Sequence, residues 1–171
     1  EKIKLIRSHG RVDEINYFNN PHEAQYLGIG YNWRMSSMTA ALGISQLEKL
    51  DNLISKRIKN ANYLSSRLSK FPEIKIPQPP KGQKHIYQMY TITLDSKKTR
   101  DELHKFLLEK RIFCKIYFIP IHLTSFYKLK FKTHQGMLPV TEKISNQILT
   151  LPMYPNMTLE EKEYIISTIS E

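Results

Sequence analysis

GYNWRMSSMTAALGISQLEKL, residues 30–50, sets an amide (Asn32), a guanidinium (Arg34) and two large aromatics (Tyr31, Trp33) directly before a helical pattern. From Ser36 onward, Met38, Leu42, Leu47, Leu50, Ile54, Ile58, Ala61, Leu64 and Leu68 recur at helical spacing, which specifies one long amphipathic helix to about Lys70. Ser36 or Ser37 is placed to cap it. Glu48, Lys49, Asp51, Lys56, Lys59 and Arg67 fall mostly off the apolar stripe, as expected for a helix that buries one face. Free N–H groups and the positive dipole end at a helix start attract anions. Asn32 and Arg34 therefore have two readings: they recognise a phosphate or carboxylate, or Asn32 satisfies backbone groups in a connector that Tyr31 and Trp33 anchor by packing.

Upstream, RVDEINYFNNPHEAQYLGIGYNW (11–33) has no sustained period and is rich in Asn and Gly, so it reads as a loop with short extended pieces. EKIKLIRSHG (1–10) reads as the last turns of a helix, with Ile3 and Ile6 on one face and Gly10 as its C-terminal cap. Because the sequence opens on Glu1 inside such a pattern, a further upstream portion is expected.

Downstream, FPEIKIPQPPKGQ (71–83) ends the long helix with prolines and leaves room for a short edge strand at EIKI. HIYQMYTITL (85–94) reads as a central strand, and TRDELHKFLLEKR (99–111) as a helix with Thr99 as N-cap and Leu103, Phe106 and Leu107 facing inward. IFCKIYFIPIHL (112–123) reads as another strand closed by Pro120. A helix is expected from about Thr141, a short turn or strand at LTLPMY, and a last helix with a Thr158/Glu161 capping box. This order predicts an α/β fold in which a small, mostly antiparallel sheet is covered by helices.

The 171 residues are 40% hydrophobic, enough for a real core, and carry a formal charge of +10, which suits an anionic substrate or a polyanionic partner. One cysteine, Cys114, excludes an intrachain disulfide framework and points to a reducing compartment, the cytoplasm. No apolar run is long enough to span a membrane.

Phosphate-loop, dinucleotide, zinc-protease and serine-elbow motifs are all missing from the sequence. His85, His104, His122 and His134 are too scattered to define a metal site, and no metal is expected. His104 reads as surface, and Cys114 as an inert core thiol within an apolar strand. YKLKFK (127–132) alternates Lys128, Lys130 and Lys132 with Leu129 and Phe131, either to grip phosphates or as a solvated strand edge. No RNA- or DNA-binding signature accompanies it, so nucleic acid is not an expected partner.

Residues 30–57, GYNWRMSSMTAALGISQLEKLDNLISKR, resemble the Gly-Tyr-Asn-Tyr-Arg-Met block and following helix of the DegT/DnrJ/StrS sugar-nucleotide aminotransferases, pyridoxal-phosphate enzymes of the aspartate aminotransferase fold. EKIKLIRSHG resembles the family's stretch after its cofactor-lysine segment. HIYQMYTI resembles its His-x-Tyr strand, IYFIPIHL its Pro-x-His segment, and LPVTEKISNQILTLPMYPNMTLEE its C-terminal ending. Nearly the whole chain is covered, in order.

The resemblance implies the C-terminal portion of such an enzyme: residues 1–35 as the tail of the large cofactor domain and a connector, and 36–171 as a domain-joining helix plus the small C-terminal α/β domain. It implies amino transfer, usually from glutamate, to a keto sugar nucleotide for cell-surface or secondary-metabolite polysaccharides, by a cytoplasmic homodimer that uses pyridoxal 5'-phosphate. Asn32 matches the family's asparagine that reaches across the dimer to the phosphate of the partner's cofactor. Arg34 either fixes this loop or meets an anionic substrate group. His85 and His122 match positions near the sugar-nucleotide pocket, as substrate contacts or as strand-end packing, and Tyr87 and Tyr117 are further substrate candidates. No lysine here lies in the family's Schiff-base motif, so no catalytic residue is assigned and the 171 residues alone are expected to be catalytically silent. Trp33 replaces the usual Tyr, and Ser37 stands where an acidic residue is common. The alternatives from other classes are a basic nucleic-acid-binding module and a non-catalytic relative with an assembly or regulatory role.

Overall fold

The computed structural model describes residues 1–12 and 25–171, so the part of the predicted loop over 13–24 lies outside the described residues. Two compact units divide the chain, residues 1–49 and 50–171.

In the first unit, α1 (Lys2–Arg7) ends in a left-handed turn at His9 (φ 61°) and Gly10 (φ 74°). Gly10 N–H donates to Leu5 O at 2.9 Å, closing the six-residue bond that often ends helices. The left-handed turn thus begins at His9, one residue before the predicted cap. Residues 25–33 return along 6–12: Leu27 N–H donates to Gly10 O (2.8 Å), His9 N–H to Tyr31 O (3.0 Å), Tyr31 N–H to Ile6 O (2.7 Å) and Trp33 N–H to Arg7 O (3.0 Å). The orphan carbonyls of α1 are thereby satisfied by the segment that carries Asn32.

α2 (Ser37–Leu68) starts where expected, with Ser36 as the cap: its Oγ accepts from Thr39 N–H at 3.2 Å. The apolar stripe is buried only toward its C-terminal end, at Ala61, Leu64 and Leu68; Met38, Leu42, Leu47 and Leu50 are exposed. Periodicity fixes which face is apolar but not whether an element covers it.

The second unit is built on β1 (Tyr90–Thr93) and β2 (Ile148–Leu151), antiparallel with Tyr90 opposite Leu151 and Thr93 opposite Ile148. α3 (Lys97–Glu109) packs on β2, on α5 (Pro139–Gln147) and on α6 (Leu159–Ser170). Tyr90, Ile92, Leu149 and Leu151 from the sheet meet Leu64 and Leu68 of α2, Leu107 of α3 and Ile165 and Ile166 of α6 in one core. This is the predicted α/β arrangement of a small antiparallel sheet covered by helices.

Several local expectations are corrected. The strand over 85–94 shrinks to Tyr90–Thr93, because Tyr87 sits at φ 48°, outside the extended region. EIKI and IFCKIYFIPIHL each reduce to a single bridge, Lys75 with Thr93 and Lys115 with Thr150, on opposite edges of the sheet. Pro72 and Pro77 bracket the first, and Pro120 turns the second into a 3-10 turn at Ile121–Leu123. YKLKFK is not a strand: Ser125–Phe131 form helix α4, in which Tyr127 and Phe131, one turn apart, bring their rings within 5.5 Å. Ser96 rather than Thr99 caps α3, its Oγ accepting from Thr99 N–H at 3.1 Å. α5 starts at Pro139, ahead of Thr141, with the proline in the first turn where its lost N–H costs nothing. His104 is half-buried, its Nε2 3.3 Å from Cys114 O. The Thr158/Glu161 capping box and the buried Cys114 are as expected.

Candidate functional site

Asn32 is bridged to Ser8 by the ladder that holds residues 31–33. In an extended segment alternate side chains face opposite ways. Tyr31 and Trp33 stack on each other, with centroids 4.3 Å apart and planes 10° from parallel. Asn32 and Arg34 meet instead, Arg34 Nε donating to Asn32 Oδ1 at 3.3 Å. With its oxygen engaged, the amide presents its NH2 outward, and the Arg34 Nη groups have no partner among the described residues. Both residues are exposed. A neutral donor beside a fixed cation suits a phosphate oxygen.

His85 is exposed, and its Nδ1 accepts from Tyr87 N–H at 3.1 Å while the two rings meet edge to face at 4.4 Å. That bond leaves Nε2 directed away from the backbone. Tyr87 is buried in its left-handed turn, which Arg57 of α2 clamps: Nη1 lies 3.2 Å from Tyr87 O, 3.2 Å from Gln88 O and 3.3 Å from Met153 O.

Tyr117 is half-buried and lies under the Lys115 ammonium, 5.6 Å from its ring centroid. Both line a shallow cleft of about 200 Å3 with Gln88, Phe113, Thr150 and Met153.

His122 is buried in the 3-10 turn, and its Nε2 lies 3.0 Å from Glu142 Oε1. The same carboxylate accepts from Gly136 N–H and Leu138 N–H, and Thr133 Oγ1 donates to His122 O at 2.6 Å. The His122 hydrogen bond, then the Gly136 N–H, hold the Glu142 carboxyl below the usual carboxylate range.

The structure thus brings Asn32 to Arg34 and His85 to Tyr87. Among the described residues no hydrogen bond or ring contact joins Tyr117 or His122 to His85 or Tyr87. Sequence reasoning missed Arg57, Glu142 and the glycines behind Asn32. Arg57 does leave a trace, since it adjoins Ile54, Ile58 and Ala61 on the inward stripe, where a charge demands buried acceptors. Buried Arg100 leaves a similar one, seven residues before Leu107; its Nη1 donates to Ser145 O (3.1 Å) and Ile148 O (3.3 Å) at the end of α5. Glu142 leaves none, because its partners come from a turn that only the fold delivers. Among the described residues no group of three or more His, Cys, Asp or Glu is placed to hold a metal, and no helix is long and apolar enough to cross a membrane.

The profile of the DegT/DnrJ/EryC1/StrS aminotransferase family matches residues 1–170. The chain is 30% identical over 172 residues to the UDP-4-amino-4,6-dideoxy-N-acetyl-beta-L-altrosamine transaminase of Campylobacter jejuni, covering 99% of this chain and 44% of that protein. It is 30% identical over 143 residues to GDP-perosamine synthase of Escherichia coli O157:H7 (84% and 38%) and 31% identical over 175 residues to the pleiotropic regulatory protein of Geobacillus stearothermophilus (100% and 43%). The chain therefore spans less than half the length of these curated relatives. Among solved structures, Helicobacter pylori PseC, an aminotransferase of pseudoaminic acid biosynthesis, superposes with a TM-score of 0.81 at 25% identity over 99% of this chain and 44% of that one. A Brucella abortus aminotransferase of the same family gives 0.76 at 28% identity over 98% and 42%. The family uses pyridoxal phosphate. The outward amide of Asn32 and the guanidinium of Arg34 fit the phosphate end of that cofactor; no lysine of this chain is assigned to its aldehyde end.

Proposed function

Because this chain belongs to the DegT/DnrJ/EryC1/StrS aminotransferase family, we propose that it is the C-terminal part of a pyridoxal-phosphate enzyme that moves an amino group from glutamate to a keto sugar nucleotide. The reading extends to a cytoplasmic homodimer serving polysaccharide biosynthesis, with residues 1–35 closing the cofactor domain and 36–171 forming the small domain. The single observation that carries it is the exposed donor pair Asn32–Arg34, set by a backbone ladder on a chain whose family uses this cofactor.

When bound, the cofactor supplies the electron sink for amino transfer. Asn32 donates an N–H to the phosphate of the cofactor held by the partner subunit. Arg34 engages the amide through Oδ1, which leaves the NH2 for the anion, and offers its remaining N–H groups to the same anion or to a substrate carboxylate or phosphate. His85 Nε2 and the Tyr117 hydroxyl are the groups that meet the sugar nucleotide. Tyr87 orients the His85 ring, and buried His122 holds the turn next to Tyr117 rather than reaching substrate by a long extension. The charge of +10 suits a nucleotide diphosphate. By this reading the 171 residues alone do not turn over.

The test is Asn32→Ala in the full-length protein, with the cofactor dissociation constant measured by fluorescence titration. Loss of a charged hydrogen bond predicts at least about tenfold weaker binding; an unchanged constant removes Asn32 from the phosphate site. A second reading, a non-catalytic regulator, is favoured by the regulatory name of the Geobacillus relative. Conversion of glutamate to 2-oxoglutarate by the full-length protein excludes it, and its absence, with cofactor bound, supports it.

A further inference from the structure

Pairing of β1 with β2 ends at Tyr90 and Leu151, and two positions further out the same register sets Gln88 opposite Met153. Pro152, which stands between, has no N–H with which to extend the ladder. Arg57 of α2 takes over: its Nη1 lies 3.2 Å from Tyr87 O, 3.2 Å from Gln88 O and 3.3 Å from Met153 O. One charged nitrogen thus ties together the two chain segments at this end of the sheet. Gln88 and Met153 also line the cleft that holds Tyr117.

A bulky residue keeps a φ of 48° only where its surroundings fix it, and Tyr87 is buried there. The same turn aims Tyr87 N–H at His85 Nδ1, 3.1 Å away. A ring nitrogen that accepts a hydrogen bond carries no proton, so the neutral imidazole keeps its proton on Nε2. His85 can therefore donate from Nε2 to an oxygen. Among the described residues Arg57 makes the only hydrogen bonds from α2 to Tyr87 and Gln88, whereas the residues beyond Met153 have other anchors. Asn60 Nδ2 donates to Tyr154 O (2.9 Å) and Pro155 O (3.2 Å), and Lys56 Nζ to Asn156 Oδ1 (2.9 Å). Removing Arg57 thus frees the His85 side of this junction more than the other.

We infer that Arg57 is a positioning residue of the substrate site: by fixing the Tyr87–Gln88 turn it holds His85 as an Nε2–H donor to an oxygen of the sugar nucleotide. The inference rests on the proposed function, which sets His85 against that substrate. Arg57 works through the turn, its Nη1 shared among three backbone carbonyls, and has no need to touch the ligand. A positioning role differs from a simple staple in a measurable way. Its loss weakens substrate binding only while His85 is present to be positioned, so the two residues are not additive.

The test is calorimetric titration of the full-length protein with UDP-N-acetylglucosamine and with GDP-mannose, at a temperature where every variant is folded. His85→Ala should weaken binding of the better probe by about tenfold. Arg57→Met and the milder Arg57→Gln should each do the same, with cofactor affinity retained, and Arg57→Lys, which keeps a charged donor, should recover most of the loss. Arg57→Met/His85→Ala should bind no more weakly than His85→Ala alone. Asn60→Ala, which removes the neighbouring bonds to Tyr154 O and Pro155 O, should lower the melting temperature and bind the probe like wild type. Failure of both probes to bind the wild type, or a His85→Ala variant that binds unchanged, overturns the substrate reading of His85 and the inference with it. A His85→Ala loss that both Arg57 variants fail to share overturns the inference and leaves that reading standing. So do losses that add in the double variant, or an Asn60→Ala loss as large as that of Arg57→Met.

Discussion

Gly30 passes so close to Gly10 that a Cβ at Gly30 would stand 2.0 Å from the Gly10 nitrogen, and one at Gly10 would stand 1.8 Å from Gly28 O. Both neighbours are backbone, so neither can step aside. Gly30→Ala must therefore push residues 31–33 off α1 and open the Tyr31 and Trp33 hydrogen bonds. In hydrogen exchange of the full-length protein, protection of the Tyr31 and Trp33 amides should fall by about tenfold or more, an opening easier by about 1.4 kcal/mol. Unchanged exchange would show that the ladder tolerates the methyl group.

Arg57 joins α2 to the turn at Tyr87–Gln88 and to Met153 through one nitrogen. Arg57→Met keeps the stem but leaves three carbonyls without this donor. We expect a loss of roughly 2 kcal/mol in urea unfolding, with faster exchange at Tyr87 and Gln88. A loss within experimental error would mean that water replaces the guanidinium at no cost.

The Glu142 carboxyl is held down first by His122 and then by the Gly136 N–H. Folded Glu142 takes up its proton at lower pH than the unfolded chain, whose value is near the ordinary one of about 4.3. In the window between the two, the unfolded state holds more protons, so stability rises with pH. This contribution is complete above the ordinary range and is lost as pH falls through the depressed value. The urea midpoint of the wild type should climb more steeply from about pH 3 to about pH 5 than that of Glu142→Gln. Parallel slopes would place the acid limb elsewhere.

Burial pushes the Cys114 thiol up to about 12, so almost no thiolate exists near neutral pH. Cys114 should resist a thiol reagent such as dithionitrobenzoate in the native protein and react fully in denaturant. Fast native labelling at this position would contradict its place in the core.

Much of the fold was written in local chemistry. The period of α2 and its serine cap and the α6 capping box follow from residues within a few positions of one another, and they appear where the sequence sets them. The candidate site was less legible. Asn32 and Arg34 stood out as a polar pair before a helix, but their mutual bond depends on the return of residues 25–33 along α1, and that return on three glycines meeting backbone to backbone. The sequence showed His122 as one of several scattered histidines; only the fold brings Glu142 to it.

The sequence by itself determined the helices with a clear apolar period or cap, which faces are apolar, the family, and the residues able to donate to an anion. Tertiary structure decided where strands stop, that YKLKFK coils into α4, which half of the α2 stripe is covered, and which polar groups become neighbours. The division is physical: helical periods and caps are set by contacts three or four residues apart, whereas strand pairing, burial and buried ion pairs exist only once distant segments meet.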